Sequence, residues 1–178
     1  ACEWVRSGTR KKRRRAIGVD LDAPTLEWGR EHNLSTLDDD ARERVTIYED
    51  DVRVVQGEKA DIVAAQNFSY FVFKRREELK AYFQAAYDNL ADEGLFIADL
   101  LGGHLVLKYD HTLERRRLKG FTYEWEQLRF NPVTHDVLYQ INFSFRDGSR
   151  LDGAFTYDWR LWSIPEVREI MAEVGFAK

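Results

Sequence analysis

The chain has 178 residues, of which 44% are hydrophobic and 33% charged, and this balance excludes disordered, collagen-like and low-complexity chains. Its length suits one domain with a sizeable core, and its net charge of −4 arises from 27 basic and 31 acidic side chains. No apolar run approaches the ~20 residues that cross a bilayer, and no leader peptide is visible. The single cysteine, Cys2, is typical of a reducing compartment, so we expect a cytoplasmic protein. The four histidines lack the spacing of a zinc site, so no metal is expected.

The basic side chains are unevenly distributed. Seven of the 27 lie before residue 16, six of them in the run from Arg10 to Arg15, whereas Glu3 is the single acidic residue there. The rest of the chain is acidic and repels polyphosphate, so nucleic-acid binding would depend on this run alone. We interpret the run as a solvated loop and expect no nucleic-acid partner.

Helical segments alternate with short apolar stretches through the first hundred residues. The predicted helices are residues 1–7, 22–33 and 75–90. The predicted strands are residues 16–21, 45–48, 61–65 and 95–101. Asp22 is placed to cap the second helix, with Pro24 in its first turn. Continuous apolar strands between helices indicate an α/β fold with a doubly wound, mostly parallel sheet that is covered on both faces.

The hydrophobic period changes after residue 104. Three runs, residues 121–126, 137–145 and 151–161, alternate apolar and mostly aromatic residues with polar ones, which predicts an antiparallel three-stranded meander with one aromatic face. This face either packs on the rest of the fold or meets a ligand, and the sequence favours neither. Ser163 and Glu166 then form a capping box that opens a last helix.

Polar residues follow three of the predicted strands, where a parallel sheet binds its ligands. Asp20 ends the first strand, Asp50 and Asp51 follow the second, and Gln66 and Asn67 follow the third. A carboxylate can accept hydrogen bonds from both hydroxyls of a ribose, and an acid after the next strand can accept one from an adenine amine. Their order and spacing predict a site for an adenosine-containing ligand.

Five segments together resemble class I S-adenosylmethionine-dependent methyltransferases that modify small molecules. The segments are residues 16–22, 49–52, 60–70, 90–99 and 162–176. The resemblance covers nearly the whole chain and implies a Rossmann-like domain over residues 1–178, with the meander inserted as residues 104–162. It also implies S-adenosylmethionine as cofactor and a small-molecule substrate.

The resemblance assigns a role to each polar strand end. Asp20 would hold the ribose hydroxyls and Leu21 would pack on the adenine, while Asp51, beside Asp50 and Val52, would meet the adenine amine. Gln66 and Asn67 would line the methionine end and the methyl-transfer site, and Phe68 and Tyr70 would wall the substrate pocket. The weak candidates for a catalytic role are Tyr70, Tyr157, Arg160, His104 and His111.

The family's first strand and its glycine-rich cofactor loop have no counterpart in these residues, and neither has its final strand. We therefore expect a fragment that exposes apolar surface and backbone donors and binds the cofactor weakly or not at all. Two alternatives remain open, namely a fragment of an NAD(P)-dependent oxidoreductase and a non-catalytic interaction module. The second would use the aromatic meander, which could also join two copies as a homodimer.

Overall fold

The computed structural model describes residues 1–8, 13–104, 106–107 and 112–177. They gather into an N-terminal unit, Ala1–Glu58, and a C-terminal unit, Lys59–Lys178. Residues 10–12 of the basic run and the candidate His111 lie outside the described residues. The described chain is mixed α/β, with two parallel strand pairs and one antiparallel sheet.

The N-terminal unit holds one parallel strand pair and three helices. Its elements in chain order are α1 (Cys2–Arg6), β1 (Ala16–Asp20), α2 (Ala23–His32), α3 (Asp39–Arg42) and β2 (Val45–Glu49). β1 and β2 run in register from Ala16 opposite Val45 to Asp20 opposite Glu49. The cap of α2 is confirmed, because the Asp22 side chain accepts a hydrogen bond from the Thr25 N–H.

Strand β1 is less buried than its sequence predicts. Its central residues are partly buried at most, and Ile17 is 40% exposed. Among the described strands β1 pairs with β2 alone, so its other edge has no described neighbour. The C-terminal unit shows the same feature, since Ile62, Leu95 and Ile97 on its parallel strands are exposed by 42% or more. Both parallel strand pairs therefore carry exposed apolar side chains.

The C-terminal unit opens with the second parallel pair and the helix that connects its strands. The elements are β3 (Ala60–Ala65), α4 (Arg76–Asp88) and β4 (Leu90–Ala98). One face of α4 is buried, including Leu79, Tyr82 and Phe83. The prediction that the helix reaches residue 90 and the strand starts at 95 is wrong, because Leu90 already pairs with Ala60 and a register shift absorbs the residues up to Leu95.

The antiparallel sheet has four strands among the described residues, where the sequence predicts three. They are β5 (Thr112–Arg117), β6 (Phe121–Phe130), β7 (Asp136–Phe145) and β8 (Arg150–Arg160), paired antiparallel in chain order. The sequence does not predict β5, because this edge strand has mostly exposed side chains, including three consecutive arginines. Charged edge strands of this kind avoid pairing with other chains and carry no apolar alternation.

The polar face of this sheet is held by charge pairs. Glu124 on β6 is 4% exposed and accepts hydrogen bonds from Arg115 at 2.8 Å and Arg150 at 2.9 Å. These bonds, that from Arg115 foremost, lower the pKa of Glu124 despite its burial. The carboxylate therefore stays ionised and links β5 to β8.

The last helix, α5 (Ile164–Val174), follows its sequence signals closely. Ser163 and Glu166 form the capping box, and Gly175 ends the helix at φ 115°. Val167, Ile170 and Val174 are buried. No helix among the described residues is long and apolar enough to cross a membrane.

Candidate functional site

The strand ends of the N-terminal unit bring the predicted acids together. The Asp50 N–H donates to the carbonyl of Asp20 at 3.1 Å, so the two residues lie side by side where β1 and β2 end. The Asp20 side chain is exposed and accepts one hydrogen bond, from the Asp22 N–H at 3.0 Å. Leu21 beside it is 67% exposed. The Asp20 carboxylate can therefore accept further hydrogen bonds, and the exposed Leu21 side chain lies next to it in the chain.

Asp51 is more strongly engaged than its neighbours. Its carboxylate accepts hydrogen bonds from the Arg53 guanidinium, the shortest at 2.6 Å, and from the Arg53 backbone N–H at 2.8 Å. These bonds hold the pKa of Asp51 below its usual value. Asp50 in turn accepts the Asp51 N–H at 2.7 Å, and Val52 is partly buried. Any amine that reached Asp51 would therefore share the carboxylate with Arg53.

The strand ends of the C-terminal unit form a tight turn that Asp99 holds. Asn67 and Phe68 both adopt left-handed conformations at φ 56°, which non-glycine residues rarely do. Their N–H groups donate to the two carboxylate oxygens of Asp99, each at 2.9 Å. The side chains of Gln66 and Asn67 are exposed at this turn. Asp99 follows a strand as the predicted site acids do, and this is the signal that could have revealed it.

Tyr70 does not meet the requirements of a catalytic base. It is 1% exposed, and its hydroxyl donates to the Asp99 carbonyl at 2.8 Å. Burial raises its pKa well above the ordinary value of a tyrosine. Tyr70 therefore anchors the turn from within the core and is not exposed enough to wall a pocket.

Aromatic rings connect this turn to the antiparallel sheet. The Phe68 ring meets Trp159 of β8 edge-on at 6.2 Å, and Tyr157 packs on Trp159 at 4.6 Å. Desolvation raises the pKa of Tyr157. The structure thus joins Phe68 to Tyr157 through Trp159, a buried residue to which the sequence analysis gave no site role.

Arg160 serves the packing of the C-terminal unit. Its guanidinium lies 3.7 Å from the Trp162 ring centroid. It also donates to the Lys74 carbonyl at 3.1 Å and to Glu166 at 3.0 Å. These contacts engage both terminal nitrogens and the face of the group, whereas its buried Nε has no hydrogen-bond partner among the described residues. The catalytic role of Arg160 stays a prediction.

The remaining candidates are His104 and the described part of the basic run. His104 is exposed in the segment after β4. In the described part of the basic run, Arg13 pairs with Asp40, Arg15 pairs with Glu58 at 3.2 Å, and Arg14 stacks on Trp4. This local pairing supports the interpretation of the run as a loop. The described residues contain no group of side chains suited to a metal ion.

Solved structures with a similar fold are methyltransferases. An S-adenosylmethionine-dependent methyltransferase from Clostridium acetobutylicum matches with a TM-score of 0.71 at 20% identity, over 90% of this chain and 63% of that one. The CcbJ methyltransferase from Streptomyces caelestis gives 0.74 at 14% identity, over 89% and 62%. An amino pentose methyltransferase from Micromonospora echinaspora, solved with S-adenosylmethionine bound, gives 0.61 at 16% identity, over 93% and 76%.

These similarities establish the fold, and they confirm the resemblance seen in the sequence at that level. The chain spans less than two thirds of the length of the first two proteins. No protein-family model and no curated sequence matches it.

Proposed function

We propose that this chain takes part in S-adenosylmethionine-dependent methyl transfer to a small molecule. The observation that carries the proposal is the shared fold with structures of such methyltransferases over about nine tenths of the chain. The predictions of a single domain over residues 1–178, with residues 104–162 inserted, and of a doubly wound parallel sheet belong to this proposal. One similar protein is an amino pentose methyltransferase, which suggests that the molecule methylated here also bears an amine.

The residues of the N-terminal unit fit the adenosine part of the cofactor unequally. Asp20 has free acceptor capacity for a ribose diol, and the exposed Leu21 offers an apolar surface to a base. Asp51, beside Asp50 and Val52, would accept the adenine amine in competition with Arg53. We therefore place the adenosine contact on Asp20 and Leu21 first, and on Asp51 second.

In the C-terminal unit, Gln66 and Asn67 would line the methionine end and Phe68 would border the substrate. The cofactor supplies a methyl group on a sulfonium, and the contribution of the protein is to position acceptor and donor and to exclude water. We call the two hydrogen bonds from the Asn67 and Phe68 N–H groups to the Asp99 carboxylate the Asp99 clamp. This clamp fits the task, because it fixes the backbone from which the Gln66 and Asn67 side chains project.

Titration of the ¹⁵N-labelled chain with S-adenosylhomocysteine, followed by NMR, tests the proposal at the millimolar affinities we expect. The amide signals of Leu21, Asp51 and Asn67 should shift. Asp20→Asn should weaken these shifts, whereas Asp39→Asn, which alters another exposed acid of the same unit, should not. Parallel titration with NADH tests the oxidoreductase alternative. Stronger shifts with NADH, or shifts that Asp20→Asn leaves unchanged, would reject the proposal.

A further inference from the structure

The C-terminal unit contains a hollow of about 480 Å³, a size common among small-molecule sites. One wall comes from the segment that follows Asp99, and the other from the residues around the start of α5. Its apolar walls include Leu100, Leu101, Leu107, Trp162, Ile164 and Pro165. Because Leu100 directly follows Asp99, the hollow continues the chain segment that holds the turn at Asn67.

The apolar wall is fixed at its aromatic member. The Trp162 indole N–H donates to the Phe73 carbonyl at 3.0 Å, and the Arg160 guanidinium stacks on the ring. Trp162 is 2% exposed, and these two contacts hold its ring in place. The hydroxyl of Ser163, which also lines the hollow, is already bonded to Glu166 at 2.7 Å.

His135 supplies a different kind of group to this lining. Its backbone is left-handed at φ 60°, held by hydrogen bonds from its N–H to the Asn131 carbonyl and from the Leu161 N–H to its own carbonyl. A side chain in this conformation costs about 1–2 kcal/mol, which glycine would avoid. The His135 ring lies 6.0 Å from the Phe130 ring and interacts electrostatically with the Glu166 carboxylate, and its nitrogens have no hydrogen-bond partner among the described residues. A strained residue with an unused polar group in a hollow is a candidate for function.

We propose that this hollow binds the apolar body of a small molecule, and that the His135 imidazole accepts a hydrogen bond from an amine or hydroxyl group of that molecule. As the acceptor site for methyl transfer, this inference rests on the proposed function. As a binding site, it stands on the hollow itself and can be tested without cofactor. The lining explains the class of ligand, because apolar walls bury a hydrocarbon body and a single imidazole selects for one donor group.

The test uses three ligands of one shape, namely benzylamine, benzyl alcohol and toluene. Their binding to the full chain is followed by the NMR signal of the Trp162 indole N–H, assigned with Trp162→Phe. One hydrogen bond is worth roughly 1 kcal/mol, so we expect the amine or the alcohol to bind about fivefold more tightly than toluene. The stronger of the two identifies the donor group that the site prefers.

His135→Gly removes the imidazole and relieves the left-handed backbone, so this variant should fold at least as well as the parent. In this variant, benzylamine and benzyl alcohol should bind no more tightly than toluene. His135→Asn, which tolerates the same backbone conformation, provides a second folded variant without the imidazole. Ile164→Ala shortens an exposed wall residue and should weaken the binding of all three ligands alike.

Two results would overturn the inference. The first is equal affinity of the three ligands for the parent chain, and the second is tighter binding of the amine or the alcohol that survives His135→Gly. Cofactor binding is measured separately, by the amide signals of Leu21 and Asn67. A chain that fails to bind the cofactor can therefore be told apart from a chain whose hollow fails to bind the three ligands.

Discussion

Asp99 accepts the backbone N–H of Phe68 at 2.9 Å with one carboxylate oxygen, while its other oxygen accepts the N–H of Asn67. This pair of bonds stabilises two successive left-handed residues that would otherwise each cost about 1–2 kcal/mol. The exposed side chains proposed to face the methionine end therefore depend on an acid from the neighbouring strand.

Asp99→Asn should destabilise the C-terminal unit by about 2 kcal/mol, because the amide can accept only one of the two N–H groups and presents its own donor to the other. Urea unfolding measures the change, with Asp61→Asn on the exposed side of β3 as the control. Asn67→Gly in the Asp99→Asn background should recover part of the loss, since glycine adopts φ 56° without strain. A loss that Asn67→Gly leaves unchanged would show that the clamp does not act through backbone conformation.

The contrast between Asp20 and Asp99 shows what the sequence could predict. Strand ends are marked locally by an acid after an apolar run, so Asp20 and Asp50 could be placed side by side before the structure was known. Asp99 also follows a strand, but its role depends on the backbone conformation of Asn67 and Phe68, 32 and 31 positions earlier. No local pattern encodes that role. Strand β5 was missed for a related reason, because an edge strand with exposed side chains need not alternate. Conversely, the resemblance suggested Tyr70 and Arg160, and it could not show that Tyr70 is buried or that Arg160 bonds Lys74 and Glu166.

A second prediction concerns the ion pairs between α4 and α5. Glu173 pairs with Arg76 and with Lys80, the latter at 2.9 Å, and these bonds lower its pKa to about 2. A carboxyl whose pKa is lowered in the folded state stabilises the protein above its unfolded pKa, and this contribution is lost as pH falls through the folded value. The effect of Glu173 should therefore disappear between about pH 4.5 and pH 2.

Glu173→Gln should lower the melting temperature at pH 7 and have little effect at pH 2. The control Glu169→Gln removes a charge one turn earlier and should show a smaller change at pH 7. The pair is exposed, so both effects will be modest and reduced by salt. A pH-independent effect of Glu173→Gln would mean that its side chain acts through packing and not through charge.

Arg53 should limit the access of an adenine amine to Asp51. Arg53→Gln removes the guanidinium that occupies this carboxylate, and we expect S-adenosylhomocysteine to bind a few-fold more tightly, as a freed carboxylate acceptor allows. The measurement is the NMR titration at Leu21 and Asp51. Arg30→Gln, which removes a charge from α2 of the same unit, is the control for net charge. Weaker binding of the Arg53→Gln variant would show instead that Arg53 orients Asp51 for the ligand.

The exposure of residues on the aromatic face of the antiparallel sheet decides which substitution can test for a homodimer. Trp159 is 5% exposed, so replacing it would disturb the core and say little about an interface. The exposed end of the same face lies at Phe145, Leu151 and Phe155, the last of them 54% exposed. If this face joins two copies, Phe155→Ser should reduce the mass in light scattering from that of a dimer to that of a monomer while leaving the circular dichroism spectrum unchanged. Val133→Ser, a change at an 88% exposed turn residue, should leave the mass unchanged. A parent chain that is monomeric at high concentration would exclude the homodimer, and a dimer that survives Phe155→Ser would place the interface elsewhere.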